Sequence, residues 1–101
     1  MGRKEEAIEC YNQAINIDPN YAKAYNNKGF VLYQLGRKEE AIECYNQAIR
    51  IDPNYEIAYI GIGNALKALG RKEEAIDWYN QAIKINPNYA YAYKSKGIVL
   101  N

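Results

Sequence analysis

The sequence predicts an all-α fold, a solenoid of antiparallel helix pairs that repeats every 34 residues. Three observations carry this reading. The stretch from Gly2 to Tyr21 recurs from Gly36 to Tyr55 with one change, Asn16 against Arg50. It recurs again from Gly70 to Tyr89, where Glu43, Cys44, Arg50 and Asp52 give way to Asp77, Trp78, Lys84 and Asn86. Between these marks the apolar residues fall on helical stripes rather than alternating, and a fixed period of this length is the signature of stacked repeats. No single unit of such a stack buries its own apolar face; its neighbours do so.

Taken in order, residues 1–21 read as the second helix of a truncated unit, with Ala7, Ile8, Tyr11, Ala14 and Ile15 along one stripe. Residues 22–55 form a complete unit. Its first helix carries Ala24, Tyr25, Gly29, Leu32 and Leu35, and its second carries Ala41, Ile42, Tyr45, Ala48 and Ile49. Between them Gly36 is expected to end the first helix in a left-handed conformation, and Glu39 and Glu40 meet the positive dipole end of the next. Asp52-Pro53-Asn54 closes the pair, because Pro53 has no amide to donate and disfavours a helical residue before it. Asn54 is the expected cap of the next helix.

Residues 56–89 repeat the pattern with Ala58, Tyr59, Ile62, Gly63, Leu66 and Leu69, then Ala75, Tyr79 and Ala82. Residues 90–101 read as a first helix alone. Six helices result, two complete units flanked by half units, in one small domain. Gly29, Gly63 and Gly97 sit inside helices at a cost of roughly 1 kcal/mol each relative to alanine, so close helix approach is expected there.

Composition narrows the function classes. The 101 residues carry 13 Lys plus Arg and 12 Asp plus Glu, a net charge of +1, which argues against a nucleic-acid footprint. No apolar run is long enough for a membrane span. With no His, no Thr and only Ser95, the chain lacks the usual nucleophile, base and metal ligands, so neither catalysis nor a cofactor is expected. Gly61-Ile62-Gly63 lies within a predicted helix without a preceding strand and is no phosphate loop. Cys10 and Cys44 read as small apolar residues in a reducing, cytoplasmic setting. Equivalent helices about 8 to 10 Å apart would hold them too far from each other to bridge.

The residues resemble the tetratricopeptide repeat family. Tyr25, Lys28-Gly29, Leu32, Ala41, Tyr45 and Pro53 fill the places of its 34-residue signature, as do Tyr59, Ile62-Gly63, Leu66, Ala75, Tyr79 and Pro87. Departures are Tyr for Trp, Lys28 and Lys96 where Leu is usual, and Leu for the first Tyr. The near-identity of the copies fits a recent duplication, a piece of a longer array or an engineered chain alike.

The resemblance implies a right-handed superhelix and a non-catalytic protein-interaction scaffold, with a concave groove lined by first helices. Carried over by position, the groove residues are Lys23, Asn26, Asn27, Phe30, Tyr33, Ile57, Ile60, Asn64, Lys67, Tyr91, Lys94 and Ile98. Such a face would take a protein or peptide with aromatic or aliphatic anchors, and its lysines would favour some carboxylates; the plainer alternative is a generic solvated face. One subset of the family grips chaperone C-terminal carboxylates with Lys, Asn and Arg. The matching places here are Asn26, Phe30, Gly61, Tyr91 and Ser95, which do not supply that set.

A second reading concerns the half units. Ala7, Ile8, Tyr11, Ala14 and Ile15 at one end, and Tyr93, Gly97 and Leu100 at the other, present complementary halves of a repeat. They are the expected surfaces of head-to-tail self-association.

Overall fold

In the computed structural model, which describes residues 2–101, six helices follow one another. They are α1 (Arg3–Ile17), α2 (Ala22–Gln34), α3 (Lys38–Ile51), α4 (Glu56–Ala68), α5 (Lys72–Ile85) and α6 (Ala90–Leu100). No strand occurs among the described residues.

Two kinds of turn alternate, and each is dictated locally. After α2 and α4, Gly36 and Gly70 take φ of +82° and +83°, a region that favours glycine. There the Arg37 amide donates to Leu32 O and the Gly36 amide to Tyr33 O, with Arg71 and Gly70 doing the same on Leu66 and Lys67. This pair of bonds satisfies carbonyls that the helix end leaves open. Arg37 then donates two hydrogen bonds to Glu40, at 2.6 and 2.8 Å, and Arg71 donates two to Glu74 at the same distances. The pairing lowers the Glu40 carboxyl and raises the Arg37 guanidinium, but both pairs lie in solvent and steer the turn more than they stabilise it.

After α1, α3 and α5 the turn is made by a side-chain carbonyl oxygen. Asp18, Asp52 and Asn86 accept from the amides of Asn20, Asn54 and Asn88 at 3.1 to 3.2 Å. An oxygen is all this turn needs, which is why Asn86 replaces aspartate without loss. The expected cap by Asn54 is not formed: the residue before α4 is Tyr55, which makes no side-chain cap bond. The Asp52 side chain holds Asn54 one position too early for that role.

Helix α2 pairs most closely with α3 and α4 with α5; α1 packs on α2, α3 on α4 and α5 on α6. The core runs along these seams. Ala41, Ala48, Ala58, Ala75, Ala82 and Ala92 are buried and let backbones approach, while Tyr45 and Tyr79 fill the space between. The glycines show how closely. A Cβ on Gly29 would lie 3.0 Å from the Tyr45 ring, and one on Gly63 would overlap the Tyr79 ring. Gly97, in the same register, faces open space, because no second helix follows α6.

Candidate functional site

The site is built by one ring. Tyr45 reaches from α3 between the two first helices beside it, against Gly29 of α2 and Gly61 of α4, where a Cβ would come 2.5 Å from its Cζ. Position 61 is Asn27 one unit earlier and Ser95 one unit later, so glycine at this register lets the ring through. The ring forms the floor of a cavity of about 230 Å³ whose walls come from α2, α4 and α6.

Of the residues expected in the groove, Asn26, Asn27, Phe30, Tyr33, Ile57, Ile60, Asn64 and Tyr91 line this cavity. Lys23, Lys67, Lys94 and Ile98 do not. The cavity draws on residues 26–33 of α2, 57–64 of α4 and Tyr91 of α6, so Lys23 lies before its stretch of α2 and Lys67 beyond its stretch of α4. Lys94 and Ile98 stand one unit further along, and Ile98 is exposed. Two lining residues, Tyr45 and Gly61, are absent from the groove expected by position. Their only sequence signal is a glycine interrupting the polar series Asn27, Gly61, Ser95.

Two of the lining residues are buried. Ile60 is 2% exposed and belongs to the core, touching the cavity as part of its wall. Ile57, one turn earlier, is 43% exposed. Asn26 is 8% exposed, and its Oδ1 is sealed from solvent without a hydrogen-bond partner. An acceptor left this way costs about 1 to 3 kcal/mol.

The cavity's electrostatics follow from its lining, in which no side chain is charged. Burial pushes the Tyr79 hydroxyl up to about 12, helped by Tyr33 and Tyr91 nearby, and pushes Tyr45 higher still. Both rings therefore stay neutral at ordinary pH. Tyr79 donates to Asn64 Oδ1 at 2.6 Å, which orients that amide and leaves its two N–H groups free of this bond. At Tyr45 the place corresponding to Asn64 is held by Phe30, which has no acceptor.

The terminal faces differ from their internal copies. Helix α1 buries no residue completely; Ala7, Ile8, Tyr11, Ala14 and Ile15 are half-buried. Their counterparts Ala41, Tyr45 and Ala48 in α3 are buried. Leu100 is 64% exposed where Leu66 is 4%, and Tyr93 and Gly97 are exposed beside it. Cys10 and Cys44 are both free thiols, and burial raises the Cys44 thiol above its ordinary value. No cluster of potential metal ligands occurs among the described residues, and no helix is long and apolar enough to cross a membrane.

The family model described as tetratricopeptide repeat matches residues 22–55 and 57–89, and one described as TPR repeat matches residues 1–36. The chain belongs to the tetratricopeptide repeat family. Among curated proteins none matches. Several solved structures resemble the chain closely. The first TPR of Spaghetti (RPAP3) bound to the HSP90 peptide SRMEEVD is 28% identical, with a TM-score of 0.89 over 97% of this chain and 78% of that one. The second TPR domain of human RPAP3, in complex with the HSP70 peptide SGPTIEEVD, is 28% identical, with a TM-score of 0.90 over 99% and 83%. MamA is 30% identical with a TM-score of 0.87 over 97% of this chain; the chain spans 57% of its length. The all-helical solenoid is thus that of a tetratricopeptide repeat protein, a family of interaction modules.

Proposed function

We propose that the chain is a non-catalytic scaffold that holds a peptide or partner segment in the concave groove between α2, α4 and α6. The observation that carries this is the gathering of Phe30, Ile57 and Tyr91, all exposed large apolar residues, around one uncharged cavity. Apolar surface concentrated in a concavity marks an interaction site more than apolar residues scattered singly. The peptide complexes of the two RPAP3 domains support the same use of the fold. Their acidic peptides are not the best match for this groove, since Asn26, Phe30, Gly61, Tyr91 and Ser95 provide no cation. The test is selection from an unbiased peptide library on the wild-type chain, followed by binding to Phe30→Asp and Ile57→Asp. Selected peptides that bind both variants undiminished overturn the groove as the binding surface.

A second reading is favoured by a separate observation. Tyr45 packs on Gly29 and Tyr79 on Gly63, while Tyr11 and Gly97, the same two positions in the half units, lack each other. Both faces call for a further repeat, and in a solution of these 101 residues a second copy is the source of one. Head-to-tail association of the chain is therefore proposed beside peptide binding, with molar mass against concentration as its test.

A further inference from the structure

We infer that the groove selects its peptide through one uncharged aromatic anchor with a hydrogen-bonding tip, a tyrosine. This rests on the peptide-groove reading above and specifies what the peptide must present. Size comes first. At about 230 Å³ the cavity is smaller than the roughly 300 to 1,000 Å³ usual for small-molecule sites, and suits a single inserted side chain. The walls come second: Phe30 and Tyr91 offer rings and Ile57 an aliphatic edge, the surroundings an aromatic ring packs against best.

Charge comes third. A carboxylate or ammonium entering the cavity would give up its water with no opposite charge among the lining residues, since none of them is a charged residue and the lysines lie elsewhere. The anchor is therefore neutral. The polar groups then separate tyrosine from phenylalanine. Asn64, whose oxygen is engaged by Tyr79, lines the cavity and has N–H groups to give, while the Asn26 oxygen is sealed out of a guest's reach. A phenol both donates and accepts, an indole only donates and a phenyl ring does neither. Of the three, tyrosine alone can accept from Asn64.

The experiment uses capped nonapeptides of Gly, Ser and Ala with Tyr, Trp, Phe, Glu or Lys at the centre, titrated into the nitrogen-15-labelled chain. Shifts are followed at the Gly61 amide and the side-chain amides of Asn26 and Asn64. The tyrosine peptide is expected to bind about fivefold tighter than the phenylalanine peptide, the net worth of one recovered hydrogen bond, with the Glu and Lys peptides weakest. Asn64→Leu should bring tyrosine and phenylalanine to parity; Asn64→Ala serves if the leucine variant does not fold. Groove shifts with phenylalanine or glutamate equal to or stronger than tyrosine overturn the inference while leaving the groove standing, as does a tyrosine preference that survives loss of the Asn64 amide. Absence of groove shifts with every peptide, when library-selected peptides do bind there, also overturns it. If neither set binds there, the groove reading itself fails.

Discussion

The Tyr45 ring rests against the backbone of Gly61 so closely that a single methyl group at residue 61 would stand 2.5 Å from its Cζ. On its other side the same ring meets Gly29, where an added Cβ would lie 3.0 Å away, so it has no room to retreat. Gly61→Ala is therefore expected to lower stability by about 1 to 3 kcal/mol despite alanine's better helix propensity. Gly97→Ala has nothing within 4 Å to meet and should raise stability by roughly 0.5 to 1 kcal/mol. Thermal midpoints of the two variants, moving in opposite directions, check both; a stabilised Gly61→Ala would remove the ring from its assigned place.

Ile57 and Ile60 lie on the same helix, yet they should respond differently to the same change. Ile60→Asp puts a carboxylate into a core position that is 2% exposed and should cost more than about 3 kcal/mol, enough to unfold much of a small repeat array. Ile57→Asp, at an exposed position, should shift stability by less than about 1 kcal/mol while weakening peptide binding. Denaturant midpoints compared with far-ultraviolet circular dichroism separate the two. Equal losses would place Ile57 in the core as well.

Alkaline titration should reveal the buried rings. A tyrosine whose pKa rises on folding favours the native state fully below its unfolded value near 10. The unfolded chain then sheds its proton first, so stability falls as pH climbs from about 10 toward 12 for Tyr79, and further for Tyr45. Stability measured by denaturant should be insensitive to these two groups between about pH 6 and 9 and decline above about 10. Tyrosinate absorbance completing its rise by about pH 11 in the folded chain contradicts the burial.

Self-association, if the second reading holds, is expected to be weak. Docking one helix face buries apolar surface worth about 25 cal/mol per Å², but loss of translational and rotational freedom costs several kcal/mol. Light scattering should show a monomer when dilute and growing mass toward millimolar concentration. Ile8→Glu combined with Leu100→Glu should abolish that growth while keeping helical content, and Gly97→Ala should weaken it by filling the space Tyr11 would enter. A mass that stays constant to millimolar concentration sinks the proposal.

The six helices and their turns are legible in the amino-acid order alone, because they depend on chemistry within a few residues. Gly36 and Gly70 supply positive φ, Asp52 supplies the turn oxygen and Pro53 breaks the helix, and each recurs with the period. The sequence also marked most of the cavity wall, since Phe30, Ile57, Asn64 and Tyr91 stand where the resemblance to tetratricopeptide repeats implies groove residues. Burial was decided only by the tertiary structure. Nearly identical segments form α1 and α3, but Tyr45 is buried and Tyr11 is not, because only α3 has a first helix on each side. The floor of the cavity, Tyr45 passing beside Gly61, and the enclosure of Ile60 and Asn26 arise where three helices converge. Spacing along one helix carries no record of how deeply a neighbour's ring reaches between two others.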